Sequence, residues 1–91
     1  MYTLAYYDKQ HDTLNANIDC LEQAIEQIQE ASYYLMKTES IYNTIDEVQQ
    51  MIRDYVYLGR LEDDLRQLLR RMHKKRDKVC MARLRHPDFK L

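Results

Sequence analysis

Leu4, Tyr7, His11, Leu14, Ile18, Leu21, Ile25, Ile28, Ser32 and Leu35 follow one another at alternating spacings of three and four, without a slip. Only a helix turns all of these to one side, because a strand changes face at every residue. Written as a heptad, Leu4, His11, Ile18, Ile25 and Ser32 take position a, and Tyr7, Leu14, Leu21, Ile28 and Leu35 take position d. A sustained 3.5-residue period imposes left-handed supercoiling, and Ile at a with Leu at d suits two-stranded packing. Ala24 and Ala31 widen the seam toward a bundle face. His11 and Ser32 interrupt the seam as register-setting residues rather than as ligands.

The rest of the chain continues in the same style. There is one glycine, Gly59, and one proline, Pro87, where a strand-rich or loop-rich fold would spend many at its turns. The expectation is an all-α protein, a long helical hairpin or coiled-coil bundle forming a single elongated interaction domain over residues 1–91. Its parts are a helix over 4–36, a corner at 37–43, a helix over 44–85 and a short tail at 86–91. The segment Thr44-Ile-Asp-Glu47 reads as a capping box opening the second helix, with Asp46 and Glu47 at the positive end of its dipole. Ile41 and Tyr42 would cover the corner; a kink in one very long helix is the competing arrangement.

The second helix carries two stripes out of phase. Ile45, Val48, Ile52 and Tyr55 form the first; the frame shifts at Tyr57-Leu58-Gly59. Leu58, Leu61, Leu65, Leu68, Met72, Lys75, Val79 and Ala82 form the second, widened by Leu69 and Leu84. Gly59 either opens a third helix, with Glu62, Asp63 and Asp64 in its first turn, or sits inside the second at a cost of about 1 kcal/mol. The helix should stop before His86-Pro87, since the residue ahead of proline is steered out of the α region. A fold-back centred near Ser40 pairs Ile28 with Ile52, Leu14 with Leu65 and Tyr7 with Met72. It also brings Asp8 and Asp12 toward Arg70 and Arg71, and leaves residues from Asp77 onward overhanging.

Charge is segregated along the chain. Residues 1–65 hold thirteen Asp and Glu against four Lys and Arg, and residues 66–91 hold ten Lys and Arg against two Asp, so −9 and +8 sum to the formal −1. Charges divided in this way choose partners and orientation more than they choose a fold. The basic run Arg70, Arg71, His73, Lys74, Lys75, Arg76, Lys78, Arg83 and Arg85 suits an acidic protein surface, such as a microtubule tail or a partner helix. Nucleic acid is the lesser alternative. The run lacks zinc-finger spacing and a stacking platform. It also lacks the base-reading Asn of a bZIP basic region, whose order relative to the leucines is reversed here. An anionic membrane is disfavoured because no broad apolar wedge lies opposite the cations.

Chemistry finds little footing. No nucleophile motif or glycine-rich phosphate loop is present, so neither catalysis nor a cofactor is expected. His73, Asp77 and Cys80 share a helix face at i, i+4 and i+7 but lack a fourth ligand nearby. Cys20 and Cys80 are expected as reduced thiols in an intracellular protein, cytoplasmic or nuclear, although a hairpin leaves a disulfide between them open. No apolar run approaches the ~20 residues needed to span a bilayer.

In layout the chain resembles the small coiled-coil subunits of kinetochore and spindle, tethering and scaffold complexes, a likeness of architecture that rests on no family motif. The expectation is therefore a non-enzymatic helical subunit joining other helical chains as a homo- or hetero-oligomer. Leu14, Ile18, Leu21, Ile25, Ile28, Leu35, Ile45, Val48, Ile52, Tyr55, Leu61, Leu65, Leu68 and Met72 would supply its interface. Eight tyrosines offer more aromatic surface than a slender hairpin covers. Phe89 and Leu91 would anchor the tail on a partner.

Overall fold

A computed structural model describes residues 2–37 and 44–90. Two helices account for nearly all of them: α1 over Leu4–Lys37 and α2 over Ile45–Leu84. They pack side by side as an antiparallel hairpin measuring 66 × 16 × 14 Å, with a radius of gyration of 20.2 Å. A compact chain of this length would have a radius of about 12 Å, so the molecule is a rod. The corner residues 38–43, with Ile41 and Tyr42, and the tail residue Leu91 lie outside the described residues.

The helix boundaries follow from local chemistry. Thr3 opens α1 by accepting the Tyr6 amide on its hydroxyl at 3.2 Å. Thr44 opens α2 in an extended conformation, φ −118° and ψ 157°, and its Oγ1 accepts the Glu47 amide at 3.2 Å. That is the expected cap, which satisfies a first-turn N–H that has no intrahelical acceptor. α2 runs unbroken through Gly59, so the glycine is a mid-helix residue and not the start of a third helix. At its far end Arg85 caps α2 in the right-handed region, with its amide directed to Met81 and Arg83 carbonyls, and Pro87 prevents continuation.

The core is a thin line. Among the described residues Leu14, Ile18 and Ile25 are the buried hydrophobic ones, at 8, 3 and 5% exposure. Leu4, Tyr7, His11, Leu21, Ile28, Ser32 and Leu35 complete the α1 seam half-buried. Every position of the 3-4 pattern therefore faces α2. From α2 the seam is met by half-buried Leu58, Leu61, Leu65, Leu68, Leu69, Met72, Val79 and Ala82. Lys75, placed in this stripe by spacing, is exposed, and Arg76 takes the half-buried position beside it. Glu62, Leu69, Arg76 and Arg83 recur every seven residues, and this row borders the seam.

The helices meet in a different register from the symmetric fold-back. Gln29 Nε2 donates to Glu62 Oε1 at 2.8 Å, and Arg83 Nε lies 2.7 Å from Asp8 Oδ1. A fold-back about Ser40 would have set Gln29 beside residue 51, so α2 has slid by 62 − 51 = 11 residues, roughly 16 Å. The cause lies in the two stripes of α2. α1 offers one unbroken seam and can cover only one phase at a time. It takes the longer, leucine-rich stripe beginning at Leu58.

Two consequences follow from the slide. Arg70 and Arg71 do not meet Asp8 and Asp12; they are exposed. The C-terminal part of α2 does not overhang either, because it lies along the start of α1. The overhang is at the other end. With Gln29 level with Glu62, Lys37 is level with about residue 54, and residues 45–53 extend past the last residue of α1.

Candidate interaction surfaces

The surface divides into three zones along the rod, each set by which parts of α1 and α2 the register places together. Residues 2–18 lie beside 74–90 at the terminal end, and residues 19–30 lie beside 61–73 in the waist. At the hinge end residues 31–37 lie beside 54–60, and residues 44–53 run on past them.

At the terminal end Tyr2 and His86 tie the start of α1 to the residues after α2. His86 has a nearly buried side chain, 6% exposed. Its Nε2 sits 3.0 Å from the Tyr2 carbonyl, and its Nδ1 accepts the Asp88 amide at 3.1 Å. These two contacts require the tautomer protonated on Nε2, which donates to Tyr2 while Nδ1 accepts. Tyr7 packs edge-on to the imidazole at 6.0 Å, and Tyr2 stacks on Tyr6 at 4.2 Å. Phe89 is half-buried and lies 5.7 Å beneath the Arg83 guanidinium. Phe89 therefore packs on its own hairpin in this chain.

Among the described residues Arg83 and Asp8 form the closest ion pair between the helices. The Nε atom is shut off from solvent and close to Oδ1, yet it has no hydrogen-bond partner. The contact is thus a pairing of charges whose N–H is not aligned on the acceptor. The remaining cations are divided between two environments. Arg76, beside Asp77 at 3.8 Å, and Arg83 are half-buried. Arg70, Arg71, Lys74, Lys75, Lys78 and Arg85 are all exposed. At 100° per residue these six occupy an arc of about 140° on the back of α2, opposite its seam.

In the waist Glu62 is the meeting point. It accepts Gln29 from α1 and both Nε and Nη2 of Arg66, at 3.2 and 2.9 Å, from its own helix. The Arg66 hydrogen bonds, and then the Gln29 bond, hold its carboxyl below the usual carboxylate range. His73 Nε2 lies 3.9 Å from Glu22 Oε1 across the seam. Cys20 is exposed, Cys80 is half-buried and both thiols are free. Among the described residues no cluster of His, Cys, Asp or Glu is arranged to hold a metal ion. No described helix is long and apolar enough to cross a membrane.

The hinge end carries most of the exposed apolar surface. Tyr33, Tyr34, Ile45, Ile52, Tyr55, Val56 and Tyr57 are all exposed there, with Ile45 the most open at 77%. Tyr33 and Tyr34 meet edge to face at 5.6 Å, and Lys37 Nζ sits 4.4 Å over the Tyr33 ring. Ile45, Ile52 and Tyr55, expected in an interface, are exposed, whereas Val48 is half-buried. The fold-back pairing that set Ile52 beside Ile28 does not hold in this register. The terminal clasp of His86 on Tyr2 went unread; only Pro87 signalled that the chain turns there.

Charge follows the same zones. Among the described residues the terminal end holds eight Lys and Arg against four Asp, the waist three Arg against seven acids, and the hinge end three of each, giving +4, −4 and 0; Glu39, outside them, completes the formal −1. Folding beside α1 leaves the basic end of the sequence basic. In comparisons with protein-family models, curated proteins and solved structures, the chain matches none.

Proposed function

We propose that this chain is a non-enzymatic helical subunit that joins other helical chains into a larger assembly, with its basic back surface turned toward an acidic protein partner. The observation that carries this reading is the surface itself. A compact protein of 11.1 kDa exposes roughly 5,700 Å², and this hairpin exposes 7302 Å². With three buried side chains among the described residues, a lone copy has little stability of its own. Large apolar side chains gathered at the hinge end supply what a partner helix needs. Intracellular residence fits the free thiols.

The test is the behaviour of the purified chain. It should be self-associated, or poorly folded until a helical partner is added. A cooperative, well-folded monomer at micromolar concentration would overturn the reading. A second reading is binding to nucleic acid through the six exposed cations of α2, which line one side of the helix over residues 70–85. Salt separates the two: phosphate binding falls along a steep log–log slope as counterions are released, whereas apolar helix assembly barely responds.

A further inference from the structure

We infer that the hinge end is a self-association surface, on which a second copy of this chain packs antiparallel along the Ile45–Tyr55 stripe. The inference rests on the assembly reading above and names its partner.

Most of the stripe is exposed because of the register, with Val48 half-buried. Ile45, Ile52, Tyr55 and Val56 are exposed by 77, 52, 44 and 45%, and at 100° per residue they share an arc of about 100° on α2. α1 stops level with about residue 54 and is committed to the other phase of α2. The stripe Ile45, Val48, Ile52, Tyr55 has spacings of 3, 4 and 3, which read the same in both directions about residue 50. An antiparallel copy therefore sets Ile45 against Tyr55 and Val48 against Ile52, twice, as a twofold interface requires.

Charge selects the hinge end among the ways two copies can meet. A full antiparallel overlap sets waist against waist, −4 on −4. A full parallel overlap sets every zone on its like. An overlap confined to the hinge ends joins two zones whose described residues balance in charge and keeps both waists apart. The area is also sufficient. At ~180 Å² per side chain the four exposed residues offer on the order of 400 Å² per copy. Two copies bury about 800 Å² of apolar surface, and an interface about two-thirds apolar then totals ~1,200 Å².

One rival arrangement remains physically distinct. The +4 terminal end of one copy can lie on the −4 waist of another, twice, which leaves the hinge stripe uncovered. Such a dimer would be held by charge and dissolve in salt.

The experiment uses the full chain with Cys20→Ser and Cys80→Ser. Sedimentation should give twice 11.1 kDa, unchanged between 0.05 and 1 M salt. Chains carrying Val48→Cys and Ile52→Cys, mixed and oxidised, should form the mixed disulfide in preference to either like pair. Ile52→Glu should return the mass to that of a monomer while helix content stays within about 10%, since Ile52 lies outside the hairpin seam. A dimer that dissociates in salt and survives Ile52→Glu would overturn the hinge-end inference and leave the assembly reading standing. A poorly folded monomer would do the same, pointing to a different chain as partner. A stable, well-folded monomer would overturn both.

Discussion

Single residues differ sharply in what they contribute here. Gly59 lies inside α2, its φ is not positive, and a Cβ built on it meets nothing within 4 Å. Gly59→Ala should therefore stabilise the chain by about 1 kcal/mol, because alanine loses less backbone entropy on entering a helix; a raised midpoint in a urea melt is the check. Glu62 gives a pH prediction. Its carboxyl is depressed in the folded state, so the stabilisation it contributes is present above the usual carboxylate range and is lost as pH falls through its folded value. Stability curves of wild type and Glu62→Gln against pH should differ at neutrality and converge in acid. A mid-helix Gly59 was one of two readings the sequence left open, whereas the role of Glu62 was not legible, because spacing marks apolar positions and is silent about polar residues bordering a seam.

At the scale of the element, the contrast is between an α1 with one phase and an α2 with two. Ile18 is 3% exposed and Ile45 77%. Ile18→Ala should cost about 2–5 kcal/mol, against within ~0.5 for Ile45→Ala under dilute conditions that keep copies apart. Thermal melts by circular dichroism at low concentration would show it. The end of α2 supports the opposite of what an overhang implied. Deleting residues 83–91 removes the Arg83–Asp8 pair, the His86–Tyr2 contact and the packed Phe89. That deletion should lower the melting temperature by several degrees, with the loss greatest for amides at the start of α1 in hydrogen exchange. The helices, the cap at Thr44 and the stop before Pro87 were all readable, because each rests on local rules. The register was not. It depends on which of two stripes wins a single partner, and local spacing scores both alike.

For the whole molecule, the thin core and the long surface belong together. Two helices side by side enclose a line of contacts, not a volume, so adding length adds surface as fast as it adds core. Stability of such a rod should depend on protein concentration once copies associate, with melting temperatures rising between about 1 and 100 μM. A concentration-independent melt would show that one hairpin suffices.

The three charge zones mean that one bulk number misdescribes this protein. Each zone runs roughly 18–25 Å along the rod, two to three times the ~8 Å over which physiological salt screens a charge. A surface approaching one zone hardly senses the next, and the sequence pI of about 6.3 is an average that no partner encounters. At neutral pH and near-physiological ionic strength, where the screening length stays shorter than a zone, the same preparation should be retarded by both a sulfonate and a quaternary-amine matrix, the first holding its terminal end and the second its waist.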